Sequence, residues 1–166
     1  MAAKVTPLKD LTVLRHQIPA HGLVPNTSLQ HHPLLIYRSA FPPSSSSSSA
    51  LLASSIDTSH FHSTSHEVLG IARGKAKLCF GGEENEGRVE VVVGRGDVVV
   101  VPAGVGHRLL EDLEGGFEMV GCYPKGCNWD MCYGKPGEEA KIEGIKKLSW
   151  FERDPVYGDE GPVLEV

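Results

Sequence analysis

The stretch SHFHSTSHEVLGIARG, residues 59–74, sets His60, His62 and His66 beside Glu67, then runs through an apolar segment that stops at Gly74. The chain holds eight histidines in 166 residues, so three within seven positions need a reason. In an extended chain, residues two apart point to the same side, and His60 and His62 therefore aim two imidazoles in one direction. STS at 63–65 is turn chemistry. A strand follows, with Glu67, Leu69 and Ile71 on one face and Val68 and Gly70 on the other. Both faces carry apolar residues, so alternation does not fix which one is inside. If Leu69 and Ile71 face inward, so does Glu67. An unpaired interior carboxylate is costly, and two imidazoles with a cation would remove that cost. His66 falls on the side opposite Glu67 and is expected outside the cluster.

A further imidazole comes from GDVVVVPAGVGH, residues 96–107. Val98–Val101 shows no alternation, which predicts a strand covered on both faces, and its β-branched residues disfavour a helix. A Pro-x-Gly turn at 102–104 then delivers His107 at the start of the next strand, with Gly104 and Gly106 permitting a sharp bend.

Outward from these segments, KAKLCF (75–80), RVEVVV (88–93), HRLLED (107–112) and GFEMVGCYP (116–124) read as further strands, and GGEENEG (81–87) as a hairpin loop. LLIYR (34–38) is an earlier strand. Nineteen glycines and eleven prolines supply many turns, and the chain is expected to be all-β. PPSSSSSSALLASS (42–55) has six serines in a row and reads as a flexible loop. The expected organisation is one domain over 1–166: an N-terminal arm with an edge strand (1–41), the serine-rich loop (42–55), a core (56–124) and a polar, irregular C-terminal extension (125–166). Within that extension, Lys141–Leu148 is expected to form a short helix.

The net charge of −5 and pI near 5.9, with no basic stripe, argue against nucleic-acid or anionic-membrane partners. No apolar run reaches the length of a membrane span, and MAAKVTPLKDLTVLRHQ lacks a secretory apolar region, so a cytoplasmic location is expected. Cys122, Cys127 and Cys132 are spaced Cys-x4-Cys-x4-Cys, unlike structural zinc sites, and with Cys79 are read as ordinary thiols. His31 and His32 are placed in a surface loop, Asp97 in a turn, and Tyr123 and Trp129 in loop packing.

The two histidine segments resemble the paired motifs of the cupin superfamily. His60, His62, Glu67 and Gly74 match His-x-His-x4-Glu-x6-Gly, and Gly96, Pro102, Gly104 and His107 match Gly-x5-Pro-x-Gly-x2-His. Glu111 stands where an asparagine is common. The wider wording, including VGCYPKGCNWD and DPVYGDEGPV, is similar to the YjlB-like group of single-domain cupins over most of 59–166, with the serine stretch as a departure. The resemblance implies a cupin jelly-roll β-barrel whose mouth holds a divalent metal on His60, His62, Glu67 and His107. Three imidazoles and one carboxylate suit a transition metal, with Fe or Mn favoured over Zn or Ni, and are too nitrogen-rich for Ca or Mg.

The expected function is a metal-dependent enzyme on a small organic molecule, of dioxygenase, isomerase, decarboxylase or lyase type, with Glu67 as a candidate acid/base. The alternative is a non-catalytic module that binds metal or a small ligand. By analogy with small cupins that pair edge to edge, a homodimer is expected.

Overall fold

Four consecutive valines with no polar residue among them need apolar cover on two sides, and the fold supplies it. A computed structural model describes residues 4–42 and 58–166. Its strands are β1 (Thr12–His16), β2 (Leu34–Arg38), β3 (Glu67–Arg73), β4 (Lys75–Phe80), β5 (Val89–Gly94), β6 (Val98–Val101), β7 (His107–Asp112) and β8 (Glu118–Cys122). They form two antiparallel sheets, ordered β1-β2-β6-β3-β8 and β5-β4-β7, in a jelly roll.

The valine strand β6 lies at the centre of the larger sheet, between β2 and β3. Val99 stands opposite both Ile36 and Leu69, and this side chain layer faces the second sheet. There it joins Ile71, Leu78, Phe80, Val93 and Met119 in the main core. Val98 and Val100 point the other way, into a second apolar layer with Leu35, Tyr37 and Val68. Trp150, Phe151, Val156 and Val163 from the C-terminal extension cover that layer. Strands buried on both faces lose the polar alternation of a half-exposed sheet. The same layering settles the facing of β3: Leu69 and Ile71 are interior, and Glu67 shares their side at 3% exposure.

The extension is therefore structural cover, although most of its residues are polar. A single buried carboxylate clamps it down. Tyr37 donates its hydroxyl to Asp154 Oδ2 at 2.7 Å, and the amides of Val156, Tyr157 and Val163 also donate to Asp154. A short helix, α1 (Glu139–Gly144), runs into a 3-10 turn over Ile145–Lys147, close to the segment predicted from sequence. Ile145 anchors it in a small cluster with Phe61, Ala103 and Cys132.

One further point differs from the sequence reading. LLIYR lies inside its sheet, because β1 pairs outside it and takes the edge position. The serine-rich stretch 42–55, apart from Pro42, lies outside the described residues. The step from β3 to β4 is made at Gly74 alone, with φ of 73°, where a Cβ would stand 3.1 Å from the Phe117 backbone. Among the described residues no helix is long and apolar enough to cross a membrane.

Candidate metal centre

Backbone pairing brings one histidine from each motif together. His60 and His107 form an isolated antiparallel bridge, with His107 N–H donating to His60 C=O at 2.8 Å and the reverse bond at 3.2 Å. His62 follows two residues after His60, on the same side. The intervening Phe61 points away into the Ala103–Ile145 cluster, and its backbone pairs with Cys132. The three rings lie with centroids 4.3–5.3 Å apart. One nitrogen from each lies within 4.8 Å of the others, and all three residues are buried, so they could hold a metal ion.

The Pro102–Gly106 turn sets the position of His107. Gly104 has φ of 91°, donates to His62 C=O at 2.9 Å, and would bring a Cβ within 2.8 Å of Pro25. Asn26, buried beneath the turn, accepts from the Gly106 amide and donates to the carbonyls of Pro19 and Gly81. No feature of the sequence marked Asn26; its side chain is tied to this turn only by tertiary contacts.

Hydrogen bonds fix the tautomer of each imidazole. His60 Nδ1 lies 2.9 Å from Thr58 C=O, His107 Nδ1 lies 2.9 Å from Val105 C=O, and His62 Nδ1 lies 2.5 Å from Asp130 C=O. A carbonyl only accepts, so Nδ1 carries the proton in all three rings. Each neutral ring then presents a bare Nε2 lone pair, the arrangement that backbone carbonyls give to metal-ligating histidines. Asp130 is itself anchored, accepting from the Ser63 amide and hydroxyl at 2.7 and 2.8 Å. Burial opposes its charge, but those bonds outweigh it and hold the carboxyl at about 2.

Glu67 faces these lone pairs. Its Oε2 lies 3.2 Å from His107 Nε2 and 3.4 Å from His62 Nε2. Neither Oε2 nor His107 Nε2 has a hydrogen-bond partner among the described residues. A bare carboxylate oxygen against bare imidazole nitrogens is repulsive unless positive charge lies between them. The titration directions agree. Burial opposes charge on Glu67, yet its imidazole and phenol neighbours hold it well below the usual carboxylate range. Burial also opposes charge on His62, yet Glu67 and the Asp130 carbonyl raise its pKa overall. Burial, with His107 next in weight, pushes His60 down to about 4. Glu67 Oε1 accepts from the Tyr123 hydroxyl at 2.6 Å.

Tyr123 was expected to pack a loop, and instead reaches the carboxylate. Trp129 lies beside it, with ring centroids 6.1 Å apart, and its indole meets His62 edge-on at 5.9 Å. Both aromatics lie within the Cys122–Cys132 segment rather than in the histidine motifs, so spacing gave no signal for them. His66 lies outside the cluster, as expected, but it is buried rather than solvent-facing. Its Nδ1 accepts from the Ala103 amide at 3.0 Å and its Nε2 lies 3.2 Å from Ser149 C=O. His31 is exposed; His32 stacks on Trp150 at 3.9 Å. Glu111 is exposed on β7 opposite Lys77. Asp97 accepts from the Ser39 and Gly94 amides, turn chemistry as expected, and pairs with Arg38 at 2.8 Å. All four cysteines are free thiols.

The two-sheet jelly roll and its buried three-histidine cluster define a cupin. A family model for the Cupin domain matches residues 51–116, and the chain belongs to the cupin family. It is 34% identical over 158 residues to an uncharacterized protein of Bacillus subtilis (strain 168), YjlB, with 89% of this chain and 92% of that protein covered.

Proposed function

We propose that this chain is a metal-dependent cupin enzyme acting on a small organic molecule. His60, His62 and His107 would hold the ion through Nε2 and Glu67 through Oε2, with Fe or Mn favoured over Zn or Ni. The observation that carries this reading is the orphaned Glu67 Oε2, set against two imidazole nitrogens whose protons are committed elsewhere. A divalent cation satisfies all of these donors at once. Bound there, such an ion supplies Lewis acidity toward an enolisable or carboxylated substrate, or a place to activate dioxygen.

The chain's own residues do the rest. Backbone carbonyls hold each imidazole in the tautomer and orientation that binding requires, so little order has to be created when the ion enters. Buried walls exclude water and strengthen electrostatic contacts inside. Glu67 is the carboxylate that faces the imidazole nitrogens, which makes it the candidate to accept a substrate proton.

The test combines elemental analysis of the purified chain with turnover assays on small enolic and phenolic acids, including oxygen uptake. About one metal ion per chain and measurable turnover are expected, with turnover lost in Glu67→Gln while metal is retained. Absence of metal uptake would overturn the reading. Full metal occupancy with no turnover across the panel would favour a non-catalytic metal-binding module. Intact turnover in Glu67→Gln would remove that residue's acid/base role.

A further inference from the structure

We infer that Tyr123 is a positioning residue of this centre: its hydroxyl, with the lack of a side chain at Gly121, holds Glu67 so that only one carboxylate oxygen reaches the ion. The inference rests on the metal reading above and concerns residues outside both histidine motifs.

Three contacts point to it. The Tyr123 hydroxyl donates to Glu67 Oε1 at 2.6 Å, since an ionised carboxylate only accepts. That bond takes Oε1 and turns Oε2, the orphaned oxygen, toward His62 and His107. Gly121, two residues earlier and therefore on the same side of the chain, lies under the carboxylate: a Cβ there would stand 2.5 Å from Glu67 Oε1. Gly121 sits within β8 opposite Leu69 and has no positive φ, so its backbone does not require glycine. The space it leaves is filled by the Glu67 side chain. One residue of β8 thus makes room for the carboxylate, and the residue just beyond the strand grips it.

The consequence is a fixed mode of attachment. An oxygen held by a phenol at this distance is not free to swing onto an ion, so Glu67 offers a single donor atom and leaves coordination space for substrate. The hydroxyl also lies 3.4 Å from His62 Nε2, at the edge of the donor set. Without it, Oε1 would be free to turn inward.

The experiment titrates Co(II) alone into the full chain and reads affinity by calorimetry and geometry by the visible spectrum of the bound ion. Tyr123→Phe deletes one oxygen atom, and Gly121→Ala pushes the carboxylate from the other side. Both are expected to weaken cobalt binding about 10- to 100-fold, as loss of a group that orients a metal ligand does, and to alter the visible spectrum. A residue that merely packs the 123–130 loop would lower the melting temperature in Tyr123→Phe and leave affinity and spectrum unmoved; that result overturns the inference. If Gly121→Ala does not fold, Tyr123→Phe decides alone. Failure of the unmodified chain to bind cobalt would overturn the metal reading and this inference together, whereas binding that both variants match overturns only the inference.

Discussion

The two sides of strand β3 each face buried histidine, and burial does not tell them apart: His60, His62, His107 and His66 are all 3–4% exposed. Their wiring separates them. On the inner side, each ring gives its Nδ1 proton to a backbone carbonyl and leaves Nε2 without a proton. On the outer side, His66 accepts the Ala103 amide at Nδ1, so Nε2 carries the proton and donates to Ser149 C=O. His66 has used both nitrogens, and it ties the C-terminal cover to the turn that carries His107. A buried histidine becomes a candidate ligand when the backbone takes one nitrogen and nothing takes the other. Adjacent in sequence, Glu67 and His66 follow the same division: one is left with an orphaned oxygen, the other is satisfied.

The largest expected effect tests that division directly. A saturating metal at about 1,000 times its Kd stabilises a native state by about 4 kcal/mol, or a melting shift on the order of 10 °C for a chain of this size. The shift should vanish in His107→Ala and persist in His66→Gln, as read by thermal melts with and without added Mn(II). Loss of the shift in His66→Gln would break the comparison, since it would give the outer histidine a part in binding.

The next effect is the response of His66 to acid. Burial pushes its pKa from 6.5 down to about 4, so the native chain refuses a proton that the unfolded chain accepts. The resulting stability is fully present above 6.5 and is lost as pH falls from there toward 4. The loss amounts to about 3 kcal/mol. Urea unfolding at several pH values should show His66→Gln falling less steeply across this window than the unmodified chain, and equal slopes would mean that His66 is not held neutral. In the plateau above the window the same variant should already be less stable by about 1–3 kcal/mol, because the Ala103 amide and Ser149 carbonyl lose a well-fitted partner.

Much of the inner side was legible in the sequence. The spacing of His60, His62, Glu67 and His107 carried the resemblance, and the unbroken valines of β6 announced a strand with two covered faces. The outer side was not legible, for identifiable reasons. Val68 and Leu69 are both apolar, so alternation left the facing of β3 open until the two layers were seen. The cover consists of a few apolar residues, Trp150, Phe151, Val156 and Val163, set in polar coil without helical or strand period. Its clamp, Asp154, looks in sequence like any turn aspartate, and its burial arises only when Tyr37 reaches it from β2. Tyr123 was misjudged for a similar reason: nothing in CYPKGCNWD says that one aromatic will reach Glu67 while its neighbour stays exposed.

The smallest expected effect sharpens the inner side at its rim. Trp129 is 55% exposed, yet its ring centroid lies 5.9 Å from that of His62. An exposed side chain contributes little to stability, within about 0.5 kcal/mol, so Trp129→Phe should melt almost as the unmodified chain does. Its position matters instead as a reporter. The second tryptophan, Trp150, lies against His66 on the outer side. A paramagnetic ion seated among the three imidazoles should therefore quench mainly Trp129. Titration with Cu(II) should dim the unmodified chain strongly and Trp129→Phe only weakly, with the same end-point in calorimetry. Quenching that survives in Trp129→Phe and disappears in Trp150→Phe would place the ion near the outer histidine, and would reverse the assignment of the two sides.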